Sequence, residues 1–213
     1  MNISPFGLKL FSSSFITNDR LFYVPNGIEV SAPRVDISTK GLHNMLNCAA
    51  AGTAALLAGT KGEDLVRGLG TFKNAPHRLE SVRKLNGAEY INDSKATNVD
   101  AVYYALDAFD TSIVWIAGGI DKGNDYSLVE ALAQDKVKAL ICLGKDNSKL
   151  WTAFENIVPV VKATDDLIVA VRMAKELAEP GDTVFMSPAC ASFDLFQNYE
   201  DRGEKFKEAV LAL

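Results

Sequence analysis

From Arg78 to the end of the chain, apolar runs of strand length alternate with segments of helix length. The strand-like runs are 78–85, 88–92, 112–117, 138–143, 157–161 and 182–186. The helical segments between and after them are 98–109, 127–134, 146–155, 165–178 and 202–212. Runs such as Ser112-Ile-Val-Trp-Ile-Ala117 are apolar throughout rather than alternating with polar residues. Strands of that kind belong to a parallel sheet covered by helices on both faces. Asn86-Gly87, between the first two runs, is a hairpin turn signal. This pattern predicts an α/β fold, doubly wound and mostly parallel, over residues 75–213. Ligands of such sheets bind beyond the carboxyl ends of the strands, near the point where strand order reverses.

The first part reads differently. Leu21–Val24 and Gly27–Val30 flank Pro25-Asn26-Gly27, a second hairpin signal, and Arg34–Ile37 reads as a third strand. So few strands need a helix or second sheet to bury a core. Two helices are expected, one over 42–57 and one opening at Gly62-Glu63-Asp64 and ending at Gly68 or Gly70. Acidic residues in a first turn suit the helix dipole. Thr71–Pro76 reads as a linker, placing a domain boundary near residue 75. The charge changes sign there: residues 1–74 hold 7 Lys+Arg and 5 Asp+Glu, residues 75–213 hold 15 and 22.

The net charge of −5 and the lack of a basic run argue against a nucleic-acid footprint. Cys48, Cys142 and Cys190 are odd in number and widely spaced, which suits a reducing compartment. Without a CxxC, and with only His43 and His77 to join them, no metal site is expected. The N-terminus lacks a secretory pattern, and the run Cys48–Gly59 is far shorter than the roughly 20 residues a membrane span needs. A cytoplasmic location, with no membrane insertion, is expected.

Four segments could carry chemistry. In Gly41–Asn47, His43 and Asn47 share a helix face. The amides of Asn44 and Asn47 could cap the helix or read a purine edge or ribose. His77-Arg78, just past the linker, offers a guanidinium for phosphate or for an interdomain ion pair. In Asn92–Asn98, helix capping accounts for one of Asp93, Ser94 and Thr97 but not all, and Lys95 is a movable cation suited to a carboxylate or phosphate. The last segment is a pair of strand-end loops. Gly118–Asp125 lifts Lys122 among glycines that permit close ligand approach. Ser187–Asp194 places Ser192 and the N–H of Phe193 at a helix start, a potential anion site. Ordinary βα turns also use Gly, Ser and Asp, although they seldom need a lysine between glycines. There is no GxxxxGK[ST], GxGxxG or GxSxG, and Cys190, without a nearby histidine base, reads as a core thiol.

Together, GLHNMLN (41–47), NAPHRLE (74–80), YINDSKATN (90–98), IAGGIDKGNDY (116–126) and SPACASFDLFQNYEDRG (187–203) resemble the Mur ligase family. The segments are long, in family order and spread over residues 41–203, while residues 1–40 match loosely. NDSKATN and SPACASFD point to the D-glutamate-adding branch. The resemblance implies that residues 75–213 are the whole Rossmann-like C-terminal domain and residues 1–74 the last part of a central ATPase domain. The phosphate-cradling loop and the magnesium ligands would then lie upstream, so this chain alone is expected to be inactive.

The implied chemistry is ATP-driven amide formation in peptidoglycan synthesis, with ATP and Mg2+ as cofactors. D-glutamate and, through further domains, UDP-N-acetylmuramoyl-L-alanine would be the substrates. Carried over by position, Asn44, Asn47, Arg78 and Asp93 bind ATP, with Asn47 at adenine and the last two at phosphate and ribose. Lys95 and Lys122 take the catalytic roles. Lys95, Thr97, Lys122, Ser192, Phe193 and Tyr199 hold D-glutamate, Tyr199 standing where the family has an aromatic. Two other readings stay open: a stand-alone amino-acid or nucleotide binding module, and a folylpolyglutamate-type ligase fragment. The linker at 71–76 is the candidate hinge.

Overall fold

The computed structural model describes residues 8–11, 14–17, 19–25, 29–39 and 41–213. The chain divides into two compact units, Met1–Asn74 and Ala75–Leu213.

In the first unit, β1 (Leu8–Phe11), β2 (Ser14–Ile16), β3 (Arg20–Tyr23) and β4 (Val30–Pro33) form an antiparallel sheet in chain order. Helices α1 (Leu42–Leu57) and α2 (Gly62–Thr71) follow as expected. Leu21, Tyr23 and Ala32 pack with Met45, Ala49 and Leu56 of α1 and Leu65 and Leu69 of α2. The Tyr23 hydroxyl donates to the Cys48 carbonyl at 2.7 Å. Two strand expectations shift. Tyr23 pairs with Val30, so β4 begins where a strand was expected to end, and the Asn26-Gly27 turn lies outside the described residues. Arg34–Asp36 is a single 3-10 turn rather than a strand. Pro33, with φ −60° and no N–H for the ladder, stops the sheet just before it.

In the second unit, β5 (Glu80–Leu85) and β6 (Ala88–Asn92) form the expected hairpin. Asn86 and Gly87 have φ of 51° and 84°, the positive pair that a two-residue hairpin turn demands. Then follow α3 (Val99–Asp107), β7 (Ile113–Gly118), α4 (Ser127–Lys136), β8 (Val137–Leu143) and α5 (Ser148–Phe154). β9 (Val160–Thr164), α6 (Leu167–Leu177), β10 (Thr183–Ala189) and α7 (Tyr199–Leu211) complete it. Strand β9 starts three residues late because Val158 turns under α5 into the core, its N–H bonding the Phe154 carbonyl at 3.0 Å. Helix α7 starts three residues early because Asn198 caps it, accepting from the Asp201 N–H at 2.7 Å.

The sheet runs β5-β6-β10-β7-β8-β9, parallel except at β5. Alternate residues of β7 face opposite ways. Ile113, Trp115 and Ala117 join α3, α4 and α5, while Val114 and Ile116 join α6 and α7. The last strand, β10, inserts between β6 and β7. Its outgoing helix covers one face, while those leaving β6 and β7 cover the other. The carboxyl ends of these three strands therefore form the crevice in which such sheets bind ligands.

Candidate functional site

The loop after β6 is built inward. Asp93 is 4% exposed. Its Oδ1 accepts from the Leu79 N–H at 3.1 Å and its Oδ2 from the Ser187 hydroxyl at 2.8 Å. Burial pushes its carboxyl up to about 7, against the pull of those two bonds and of Arg78. The preceding turn is strained. His77 and Leu79 have φ of 62° and 46°, a region costly for side-chain-bearing residues. The strain persists because the turn is held on several sides. Glu80 accepts the His77 N–H at 2.9 Å, the Lys95 N–H donates to the His77 carbonyl, and Asp93 takes Leu79. Between the two strained residues, Arg78 projects into solvent.

Lys95 is half-buried, with Nζ 5.5 Å from the centre of the Tyr199 ring. The structure thus joins two of the expected D-glutamate residues from positions over a hundred apart. Thr97 is exposed in the same loop.

The loop after β7 is organised by Asp121. Its Oδ1 accepts from Gly123 N–H, Asn124 N–H and Lys149 Nζ, and its Oδ2 from the Tyr126 hydroxyl. Burial opposes this charge, but the bonds from Lys149, Tyr126 and the two amides outweigh it and hold the carboxyl below its usual range. Lys122 is left exposed at the tip. Two of the glycines are set by close backbone approach, while a Cβ at Gly123 would meet nothing. At Gly118 a Cβ would overlap the Leu143 carbonyl, and at Gly119 that of Ala191, so they admit the neighbouring loops.

Ile120 and Ala191 form an antiparallel bridge, which brings the Lys122 loop against Ser192 and Phe193. Ser192 is buried and Phe193 exposed. The short helical turn expected here is present as one isolated turn, with Phe196 N–H donating to the Ser192 carbonyl at 2.9 Å. The Phe193 N–H has no protein acceptor among the described residues. Cys190 packs against Tyr126 and Asn124, and burial pushes its thiol up, as suits a core position.

One residue escaped the sequence reading as a site residue. Arg202, in α7, is 2% exposed. Its Nε donates to Ser94 Oγ at 3.0 Å and its Nη2 to the carbonyls of Ser94 (3.0 Å) and Cys190 (3.2 Å). Its Nη1 donates to those of Cys190 (3.2 Å) and Gly118 (3.5 Å). Burial pulls the guanidinium down to about 10, so it stays charged at neutral pH. The quoted segment 187–203 contains this arginine, but its partners lie too far away in the chain to suggest a role.

In the first unit, Gly41 (φ 86°) precedes α1 and makes no side-chain cap. The Asn44 side chain is buried and Asn47 exposed, one turn apart, and the His43 side chain lies outside the described residues. Among the described residues, no group of three His, Cys, Asp or Glu side chains is arranged to hold a metal ion. Nor is any helix among them long and apolar enough to cross a membrane.

The family model described as "Mur ligase, glutamate ligase domain" matches residues 77–190, which include the loops after β6 and β7 and the start of the loop after β10. The chain is 45% identical over 208 residues to UDP-N-acetylmuramoylalanine--D-glutamate ligase of Christiangramia forsetii, covering 97% of this chain and 47% of that protein. It is 44% identical over 212 residues to the ligase of the same name from Cytophaga hutchinsonii, covering 98% and 47%. It thus spans about half the length of the curated relatives it matches. Among solved structures, MurF from Acinetobacter baumannii superimposes with a TM-score of 0.65 at 18% identity, over 97% of this chain and 45% of that one. That likeness is one of fold. The family match over the second unit and the convergence of its strand-end loops agree: the chain belongs to the Mur ligase family.

Proposed function

We propose that this chain forms the amino-acid-receiving part of a cytoplasmic, ATP-dependent ligase that joins D-glutamate to UDP-N-acetylmuramoyl-L-alanine in peptidoglycan synthesis. One observation carries the reading. Lys95 with Tyr199, Lys122, Ser192 and the Phe193 N–H, which has no acceptor among the described residues, lie on the segments that follow the carboxyl ends of the neighbouring strands β6, β10 and β7. Two cations with hydroxyl and amide donors suit a dicarboxylate, and the name borne by the relatives supplies its identity.

In the reaction, ATP transfers its terminal phosphoryl group to the carboxylate of the UDP-linked substrate, leaving ADP and an acyl phosphate. The D-glutamate amine attacks that carbonyl, the tetrahedral intermediate expels phosphate, and the amine gives up a proton as the amide forms. The contribution of this chain is placement and charge: it holds both D-glutamate carboxylates so that the amine points at the acyl carbon. Arg78 faces phosphate, and Asn44 and Asn47 serve the nucleotide. Asp93, buried and doubly bonded, serves the nucleotide by fixing the turn that presents Arg78. Among the described residues, no cluster of ligands is arranged for the magnesium that the family chemistry implies.

Lys122→Ala in the ligase that carries this chain tests the reading. Removing one charge-assisted hydrogen bond costs about 1.5–3 kcal/mol. That corresponds to a rise in the D-glutamate KM of roughly ten- to a hundredfold. The KM for ATP is expected to stay almost unchanged. An unaltered D-glutamate KM overturns the assignment.

A further inference from the structure

We propose that Arg202 is the positioning residue of the D-glutamate site: one buried guanidinium sets the spacing of the three loops that carry the ligand's contacts. The proposal rests on the functional reading above.

The guanidinium makes five hydrogen bonds, and none goes to a carboxylate. Its acceptors lie on three chain segments: Ser94 after β6, Gly118 at the end of β7 and Cys190 after β10. Each anchor is close to an expected ligand contact. Ser94 adjoins Lys95, Cys190 lies two residues before Ser192, and Gly118 opens the loop that carries Lys122. The Ser94 hydroxyl, which accepts from Arg202 Nε, donates in turn to the Tyr199 carbonyl at 2.7 Å. The fourth contact, at the start of α7, is thereby tied to the same group.

Charge and shape both matter here. A planar fork with five N–H donors can reach acceptors on several segments at fixed angles, which a lysine ammonium cannot. A buried cation bonded only to carbonyls and a hydroxyl is expensive unless its field is used. Asp194 supplies part of the compensating negative charge, and a bound dicarboxylate at the adjoining edge adds to it. Arg202 does not touch the ligand in this arrangement. It acts through Lys95, Lys122, Ser192 and Tyr199.

Two variants separate positioning from simple support of the fold. Arg202→Lys keeps the charge and removes the fork. Ser94→Ala removes the relay to Tyr199 together with the Nε bond, leaves the guanidinium its four bonds to carbonyls, and keeps the proposal testable if the lysine variant fails to fold. In the ligase carrying this chain, Arg202→Lys should raise the D-glutamate KM by about tenfold or more while the ATP KM stays within about twofold, since small displacements of contact groups are costly. Amide hydrogen exchange should speed up together in 94–97, 119–123 and 191–194. Ser94→Ala should loosen 94–97 and the start of α7 alone, with a smaller rise in the D-glutamate KM.

The proposal is overturned if exchange rises in only one loop, or if the two KM values rise equally. It is also overturned if Arg202→Lys matches the wild type, or if Ser94→Ala leaves the D-glutamate KM unchanged. Lys122→Ala, measured alongside, keeps the two readings apart. If that variant too leaves the D-glutamate KM unchanged, the functional reading has failed. If it responds and Arg202→Lys does not, positioning has failed.

Discussion

Replacing Asp93 by asparagine isolates the cost of a buried charge beside the site. Asp93 is 4% exposed, and burial lifts its carboxyl from 3.8 to about 7. In the unfolded chain the group titrates near its ordinary value of about 3.9. Between those two pH values the folded chain holds a proton that the unfolded chain has released. The stability contributed by this group is therefore full below about pH 4, falls through the window, and is gone above about pH 7. At about 1.4 kcal/mol per tenfold change in the ionisation constant, the whole span is about 4 kcal/mol. Asparagine keeps the shape and does not titrate. Its oxygen can accept from Leu79, and its amide can donate to Ser187 Oγ. Urea unfolding of both chains at steps from pH 4.5 to 8 gives a difference curve from which shared groups cancel. The variant should gain about 3–4 kcal/mol on the wild type across that range. A flat difference, or a wild type that gains on the variant as pH rises, refutes the reasoning.

Two further outcomes follow from packing. Gly203→Ala would drive a Cβ into the ring of His77, which is 4% exposed and has Nδ1 3.0 Å from Asn92 Nδ2. Overpacking of this kind costs about 1–3 kcal/mol, and each kcal/mol lowers Tm by roughly 2–4 °C in a protein of this size. A Tm equal to that of the wild type by calorimetry would show that the ring moves freely. Burial pushes the Cys142 thiol up to about 12 and raises that of Cys190. Neither should be alkylated by iodoacetamide at pH 8 until denaturant is added. Rapid native labelling of Cys190, read by peptide mass, would contradict its core assignment.

Much of the second unit was legible in the order of residues. The apolar runs 112–117 and 138–143 became β7 and β8 almost to the residue, because a strand buried on both faces must be apolar throughout. The 86–87 turn was readable because only certain residues accept two positive φ values. The misplacements have local causes that compete with periodicity. Val158 carries β propensity yet is spent on the core beneath α5, and Pro33 ends a sheet that the next residues could have continued. The glycines at 118 and 119 stand out in the sequence, and the structure gives them a packing role. They make room for the carbonyls of Leu143 and Ala191, which no spacing in the sequence foretells.

The sequence by itself determined the alternation of strands and helices, the change of character near residue 75, and the loops that hold the polar residues. These features rest on neighbours in the chain, whose periodicity is set by backbone geometry. Only the tertiary structure decided that β10 inserts between β6 and β7. That insertion places Arg202 within hydrogen-bonding distance of Ser94 and Gly118, and Lys95 over Tyr199. Contacts across about a hundred residues depend on which strands pair, and pairing is settled by the packing of the whole sheet rather than by any local run of residues.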